Sequence, residues 1–389
     1  MTLPPLRLFL IAGEPSGDRL GGALMEALAA ERPGTVFAGI GGPEMRRAGL
    51  QPPFDIAELA VMGLTEVLPR LPRLIRRIRE TKEAALAFAP DALITIDSPG
   101  FSLRVARRVR AVAPGTRVIH YVAPSVWAWR PGRAVKMAAY VDHVLALLPF
   151  EPPYMTKAGM SCDFVGHPIA GRRESTAEEI AAFREEAGIG AAPLLLVAPG
   201  SRRGEVARLG GIFRETVAQL RAARPELRVV VPVAETVTAE VAALFGDEIL
   251  LGPETAQRRR QAAAAAADAA LVKSGTVTLE MAAAGTPQVA AYRASWLTAA
   301  IVRRLIKVDS ANLVNLVSAT RAVPEFYQEA CTPEALAGAL APLLDGSPAR
   351  EAQCRAAAAA LTALGRGGAA PAVRAARSVL AAIERPAGP

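Results

Sequence analysis

Short apolar runs, each closed by a loop of small residues and followed by helix-like sequence, recur along this chain, and that rhythm limits the fold more than any single motif. In the first half the runs are LRLFLIAG, TVFAGIGG, Ala92–Ile96, Arg117–Val122 and His143–Leu148. Apolar residues at Leu20, Ala23, Leu24, Ala27 and Leu28 mark a helix over Leu20–Ala30, after the loop Glu14-Pro15-Ser16-Gly17-Asp18. The rhythm pauses near Gly166-His167-Pro168 and the charged helical STAEEIAAFREEAG. It restarts with Pro193–Ala198, a helix over Gly211–Ala223, LRVVVPVA, Ile249–Leu251 and Ala269–Val272. Such alternation predicts parallel, doubly wound sheets with ligand loops at the strands' C-terminal ends. At 389 residues the chain is too long for one ordinary core. The expectation is an α/β protein of two Rossmann-like domains facing across a cleft: residues 1–168, a linker region at 169–190, residues 191–366, and a terminal segment, 367–389, that is helical from Pro371 to Glu384.

The stretch DAALVKSGTVTLEMAAAGTP, Asp268–Pro287, condenses the chemistry. An apolar strand leads through Lys273-Ser274-Gly275-Thr276 into VTLEMAAA, and Gly285 stands where helices stop. Small residues at a strand-to-helix turn leave backbone N–H groups and the positive dipole end open to a phosphate. Glu280 falls about one turn into the helix, where a carboxylate can take hydrogen bonds from two ribose hydroxyls. The plainer alternative is that Ser274 or Thr276 caps the helix and Glu280 complements its dipole. In VAPGSRRGEV, Gly200-Ser201 and an arginine pair follow the first strand of the second half, so Arg202 or Arg203 can fork onto a diphosphate or remain a solvated surface pair. Neither loop matches G-x-x-x-x-G-K-[ST], which excludes a P-loop ATPase.

In the first half, Asp97 ends the strand ALITID, a position from which a carboxylate can take the proton of a hydroxyl; a turn-forming or capping Asp is the alternative. Ser16 lies in the loop after the first strand. His120 follows another strand and either assists catalysis or is a satisfied core histidine. Trp127, Trp129, Arg130 and Arg133 form an aromatic and basic cluster suited to a sugar face and a phosphate, or to stacking within a core. From Leu64 to Ile78, Leu64, Leu68, Leu71 and other apolar residues recur at helical spacing beside Arg73, Arg76 and Arg77. That is the pattern of an interfacial helix meeting anionic lipid, although a helix covering a sheet has the same stripe, and Pro69 and Pro72 imply a break or a late start.

The charge of +8 calls for an acidic partner: nucleic acid, an anionic membrane or a phosphorylated substrate. No helix-turn-helix or other nucleic-acid signature is present. Cys162, Cys331 and Cys354 are widely spaced, in no metal-like pattern, and fit a reducing compartment. With no apolar run of membrane-span length and no signal-peptide pattern in PLRLFLIAG, the protein is expected to be soluble or peripheral.

AGEPSGDRLGG, GIGGPEM, LAVMGLTEVL, IDSPGFSL, HYVAPSVWAWRPGR, LLPFE, FVGHPI, APGSRRGEV and SGTVTLE follow one another as in lipid-A-disaccharide synthases, inverting glycosyltransferases of the GT-B fold, and the chain resembles that family from about Leu8 to Glu325. The resemblance implies transfer of 2,3-diacylglucosamine from UDP-2,3-diacylglucosamine to 2,3-diacylglucosamine 1-phosphate (lipid X). It implies a β(1→6) disaccharide and UDP as products, with no metal and no cofactor. By the same resemblance Asp97 is the catalytic base, Arg202 the UDP-contacting arginine, Glu280 the ribose-binding glutamate and Asn315 an asparagine near the nucleotide. Ser201, Ser274, Gly275 and Thr276 complete the expected nucleotide site; Ser16, His120, Trp127 and Arg130 are candidate acceptor or sugar contacts. The implied setting is the cytoplasmic face of the inner membrane of a Gram-negative bacterium, with the protein bound peripherally to an anionic surface. By analogy with other GT-B proteins, the terminal helix is expected to return to the first domain.

Three positions depart from the family pattern: Gly100 replaces an acid often found three residues after the base, Thr320 stands where an arginine is common, with Arg321 next, and Pro15 replaces a frequent alanine. The nearest rival is a UDP-sugar 2-epimerase, which would hold UDP in the same way and use no lipid; a non-catalytic membrane or nucleic-acid binder is the rival from another class. A full G-x-G-x-x-G after the first strand is absent, which excludes an NAD-dependent dehydrogenase.

Overall fold

The computed structural model describes residues 4–59, 64–295 and 308–385, with side chains from residue 71 onward in the second of these segments. The chain forms two compact units, Met1–Pro168 with Gly367–Pro389, and Ile169–Arg366. Residues 169–190 thus belong to the second unit, where the helix Ala177–Glu186 carries a complete capping box between Thr176 and Glu179.

The first unit has six parallel strands: β1 (Arg7–Ala12), β2 (Val36–Ile40), β3 (Ala92–Ile96), β4 (Arg117–Tyr121), β5 (His143–Ala146) and β6 (Ser161–Phe164), in the order β2-β1-β3-β4-β5-β6. Successive side chains of a strand point to opposite faces. Phe9 and Ile11 enter one core with Leu93, Val118, Ile78 and Val109, while Leu8 and Leu10 enter the other with Ile94, Leu24, Leu28 and Val379. Both faces are covered, so the strands read as unbroken apolar runs rather than alternating ones. The terminal helix Pro371–Glu384 belongs to this unit and packs against the first helix, Pro15–Glu31. Ser378 ties it to the sheet by donating to Asp163 (2.6 Å) and bonding His143 Nε2 (2.8 Å).

In the second unit, β7 (Leu194–Ala198), β8 (Arg228–Pro232), β9 (Ile249–Leu251), β10 (Ala269–Lys273), β11 (Gln288–Tyr292) and β12 (Glu325–Tyr327) are also all parallel, in the order β12-β11-β10-β7-β8-β9. Numbered from its own first strand this is the Rossmann order 3-2-1-4-5-6.

Two helices begin earlier than their apolar periodicity indicates. The first starts at Pro15, within the expected loop, because proline at the first helical position presets φ and lacks only an N–H that would have no intrahelical partner. The second starts at Arg203 rather than Gly211. Pro69 and Pro72 do not interrupt the helix Leu64–Phe88. They are its sixth and ninth residues, past the first turn, so each missing donor leaves one carbonyl without an intrahelical partner.

Candidate active site

In a parallel sheet the ligand crevice opens where strand order reverses, beyond the strands' C-terminal ends. In the first unit that point lies between β1 and β3, the strands that precede Ser16 and Asp97. The structure brings the two together: Ser16 Oγ donates to Asp97 Oδ2 over 3.4 Å. Asp97 and Ser98 are both left-handed, with φ of 48° and 45°, a conformation uncommon away from glycine and concentrated at functional sites. The turn is held by the Asp97 N–H on the Tyr121 carbonyl (2.9 Å) and by Ser102 Oγ, which donates to the Asp97 carbonyl (2.6 Å). Gly13 lets Ser98 fit against β1, since a Cβ there would lie 2.7 Å from the Ser98 hydroxyl.

Asp18, which the sequence reading left without a role, organises the neighbouring loop. Its carboxylate is 2 % exposed and accepts from the backbone N–H of Gly42 (2.7 Å), Glu44 (2.9 Å) and Met45 (3.0 Å). One carboxylate thereby joins the GEPSGD and GIGGPEM segments. No local pattern marks it, because its three donors come from a segment 24 to 27 residues further along the chain.

Two candidate contacts are core residues. His120 is buried on β4 with Nδ1 2.8 Å from Thr95 Oγ1, and burial pushes its imidazole down to about 4 against the opposing effect of the Thr95 backbone, so it is neutral near pH 7. Trp127 is also buried, edge-on to Phe150 at 5.1 Å, and its indole N–H goes to Glu151 Oε1 (3.2 Å). Its ring face is packed rather than open to a sugar. The exposed aromatic is Trp129, with the Arg130 guanidinium 4.5 Å above its ring. A stripe of large apolar residues cannot distinguish the inward tryptophan from the outward one.

The arginine-rich helix divides similarly. Leu74 and Ile78 pack into the core, and Arg77 lies over Phe54 and donates to Glu58 (2.6 Å) and Glu80 (2.7 Å), so Arg77 faces protein rather than lipid. Arg73, Arg76 and Ile75 are exposed, and Leu71 is partly so. The side chains of Leu64 and Leu68, and residues 60–63 of LAVMGLTEVL, lie outside the described residues. No described helix is long and apolar enough to cross a membrane.

In the second unit the reversal point lies between β7 and β10, and the loops beyond them are Pro199–Arg202 and Ser274–Thr276. Ala198, Gly200, Ser201, Glu205, Lys273, Gly275, Thr276 and Glu280 line one hollow there. A second, lined by Arg172, Arg173, Ser175, Gln257 and Gln261, shares Pro232, Arg260, Val277 and Glu280 with it. Thr276 begins the helix Val277–Ala284 without a side-chain cap; the N–H groups of Thr278 and Leu279 go to the carbonyls of Gly275 (3.1 Å) and Thr276 (3.0 Å), so the N–H groups of Gly275, Thr276 and Val277 form the open entrance of the helix. Ser274 is buried, with its N–H on the Ala291 carbonyl (2.8 Å) and its hydroxyl 3.5 Å from the Ala311 carbonyl.

Glu205 fixes the phosphate-type loop from beneath. It accepts from the Ser201 N–H (3.1 Å) and pairs with Lys273 Nζ (2.9 Å), and Arg202 lies 3.8 Å away. Burial raises its pKa, but the Lys273 ammonium, the Ser201 N–H and Arg202 together hold it below the ordinary carboxylate value. Gly200, at φ 132°, is required by the same packing, because a Cβ would lie 2.6 Å from the Glu205 Cβ. Of the two arginines, Arg202 stays by this loop, while Arg203 turns to Glu240 (2.9 Å). Glu280 is half-exposed beside Arg172 at 3.6 Å. Arg260 lines both hollows and donates to the carbonyls of Val233 (3.1 Å), Gly252 and Thr255 (3.3 Å).

Asn315, expected near the nucleotide, is held within its own segment. It is 2 % exposed, its amide donates to the Val323 carbonyl (2.9 Å) and Glu325 (2.8 Å), and its oxygen accepts from the Val323 N–H (3.0 Å). Both amide protons are spent inside the protein, so Asn315 shapes the 308–327 segment rather than reaching a ligand. Glu325, which also accepts from Ser310, Tyr327 and the N–H of Ala311 and Asn312, is the centre of that segment. Thr320 bonds Ser318 (2.8 Å), and Arg321 is engaged by the Asp309 carbonyl (2.8 Å).

Strain and a carboxylate at one reversal point, with Arg202, Lys273 and the N–H groups of a helix entrance at the other, can perform proton abstraction and diphosphate binding respectively. Solved structures share the fold: a putative UDP-N-acetylglucosamine 2-epimerase from Listeria monocytogenes has a TM-score of 0.64 at 14% identity, covering 98% of this chain and 96% of that one. The calicheamicin glycosyltransferase has a TM-score of 0.59 at 18% identity, covering 99% and 100%. The sequence is closer to curated relatives. It is 55% identical over 384 residues to the lipid-A-disaccharide synthase of Ruegeria pomeroyi, covering 96% of this chain and 95% of the relative, and 46% identical over 389 residues to that of Rhodospirillum centenum, covering 98% and 96%. A family model described as lipid-A-disaccharide synthetase matches residues 8–369, so that nearly the whole chain, both reversal-point sites included, belongs to the lipid-A-disaccharide synthase family.

Proposed function

We propose that this glycosyltransferase moves 2,3-diacylglucosamine from UDP-2,3-diacylglucosamine to the 6-hydroxyl of 2,3-diacylglucosamine 1-phosphate. The bond from the acceptor oxygen to the donor's anomeric carbon forms as the bond to UDP breaks, with inversion to the β(1→6) disaccharide. Asp97 takes the hydroxyl proton. The leaving diphosphate gains charge, which the N–H groups at Gly275–Val277, Arg202 and Lys273 stabilise, and Glu280 binds the ribose hydroxyls, exchanging its Arg172 neighbour for them. No step in this scheme routes through a metal ion.

The observation that carries this reading is the pair of reversal-point sites: a strained Asp97 in a unit with an exposed aromatic and arginine, and, in the other unit, a glycine-edged hollow lined by Lys273 and Arg260 beside Glu205 and Glu280. The first unit is assigned the acceptor and the second the UDP-sugar. Exposed Arg73, Arg76 and Ile75 support peripheral contact with the anionic cytoplasmic face of the inner membrane, from which a lipid acceptor is drawn. The test is incubation of donor and acceptor in detergent micelles, with proton NMR of the isolated product. A β-linked disaccharide 1-phosphate is expected; UDP release with a 2-epimerised or hydrolysed sugar would replace this reading with the epimerase one.

A further inference from the structure

We propose that Glu151, in the LLPFE segment, is the positioning residue that sets the loop between β4 and the helix Gly132–Ala138 for the acceptor; this rests on the acceptor assignment above. The loop is awkward to hold. It opens on Val122 at φ 81° and reaches Arg130 at φ 52°, two non-glycine residues in the left-handed region, the first of them β-branched. Beyond Val122, whose N–H is anchored on β5, the loop's backbone bonds reach only short distances along the chain, from Val126 to Pro124 and from Ala128 and Trp129 to Ser125. What crosses to the neighbouring strand is the Trp127 side chain.

Glu151 receives it. The carboxylate is 3 % exposed, and one oxygen accepts from Trp127 Nε1 (3.2 Å) while the other accepts from the N–H of Leu147 (3.2 Å) and Leu148 (3.0 Å), just beyond β5. Phe150 closes the arrangement edge-on to the indole. The tip of β5 therefore holds Trp127, and Trp127 holds the loop whose outward residues are Trp129 and Arg130, an open aromatic face with a cation stacked on it. That pair suits a phosphorylated sugar, which presents C–H groups to a ring and an anion to a guanidinium. Across the same strand tips, the Val122 N–H binds the Leu145 carbonyl and the Asp97 N–H binds the Tyr121 carbonyl, so the loop's origin and the proposed base share one frame.

Glu151→Gln keeps the volume but turns an amide N–H₂ toward a donor, either the indole or the two backbone N–H groups. Trp127→Phe removes the indole N–H and leaves both backbone bonds of Glu151 intact. In steady-state kinetics each is expected to raise the KM for the lipid acceptor about tenfold, as loss of one buried hydrogen bond allows. Each should leave kcat within about threefold and UDP affinity by calorimetry unchanged, and the double variant should be no worse than the worse single one. Near-UV circular dichroism of Glu151→Gln should lose part of its tryptophan signal. A folded Glu151→Gln protein with wild-type acceptor KM and wild-type near-UV spectrum would overturn the proposal. If that variant does not fold, wild-type acceptor KM in Trp127→Phe would do so. Should the wild type bind UDP but make no disaccharide, the acceptor assignment has failed instead, and the spectrum alone then decides whether Glu151 anchors the loop.

Discussion

Replacing Asp18 tests whether one buried carboxylate holds the loops around the proposed base. In Asp18→Asn, the amide oxygen placed at Oδ1 keeps the Gly42 and Met45 donors, while the amide nitrogen meets the Glu44 N–H, a donor facing a donor. Hydrogen bonds to charged groups contribute about 1.5–3 kcal/mol each, and an unpaired buried donor costs about 1–3 kcal/mol, so Asn should destabilise the first unit by about 2–4 kcal/mol and Ala by more. For a unit of this size a loss of that order lowers the melting temperature by about 5–15 °C. Differential scanning calorimetry of the whole protein, with and without UDP, reads this directly. The first unit should melt earlier in the Asn variant, while the UDP-stabilised transition of the second unit stays in place. An Asn variant melting together with the wild type would refute the capping role, because no other contact among the described residues satisfies the same three N–H groups.

Glu280→Ala should lower UDP affinity by about 10- to 100-fold, the loss of charged hydrogen bonds to ribose; wild-type affinity by calorimetry would remove the ribose assignment. Burial, against the opposing N–H groups of Leu148, Trp127 and Leu147, pushes Glu151 up to about 7. The Cys162 thiol is pushed up to about 12 by its own burial and then by Glu151 and Asp163. A carboxyl protonated in the folded state but ionised in the unfolded one contributes stability that falls as pH rises from about 4.5 to about 7, on the order of 3 kcal/mol in all. Melting curves should show that slope in the wild type and a flatter one in Glu151→Gln; equal slopes would contradict it. Reversing Arg73 and Arg76 to Glu should weaken sedimentation with vesicles containing anionic lipid by at least about 30-fold at low salt, from about 1 kcal/mol per cation near the surface. Unchanged co-sedimentation would move the membrane contact elsewhere.

The parts legible in the sequence were those that repeat or that must be small. Continuous apolar strands and the glycine-edged loops at Gly200 and Gly275 announced parallel sheets and phosphate-type turns, because both rest on local rules of covering and close approach. β6, β11 and β12 were not anticipated; β6 and β12 are short and only partly buried, so their sequences carry little periodicity. Direction was harder to read than identity. Trp127 and Trp129 differ by two residues and point to core and solvent, Arg76 and Arg77 to solvent and protein, and only packing separates them. The carboxylates that hold loops, Asp18, Glu151, Glu205 and Glu325, were invisible because each serves N–H groups or cations that the fold, not the motif, brings to it. Asn315 shows the converse: a motif residue whose amide is consumed by its own segment.

The most direct test of the account compares wild type and Asp97→Asn in one experiment: purified protein with EDTA, UDP-2,3-diacylglucosamine and lipid X in micelles, products followed by mass spectrometry, and UDP affinity measured on the same preparations. The account predicts disaccharide 1-phosphate from the wild type and a rate lower by about 10²- to 10⁴-fold in the variant, with equal UDP affinity and equal melting temperature. Transfer by Asp97→Asn at close to the wild-type rate would contradict it.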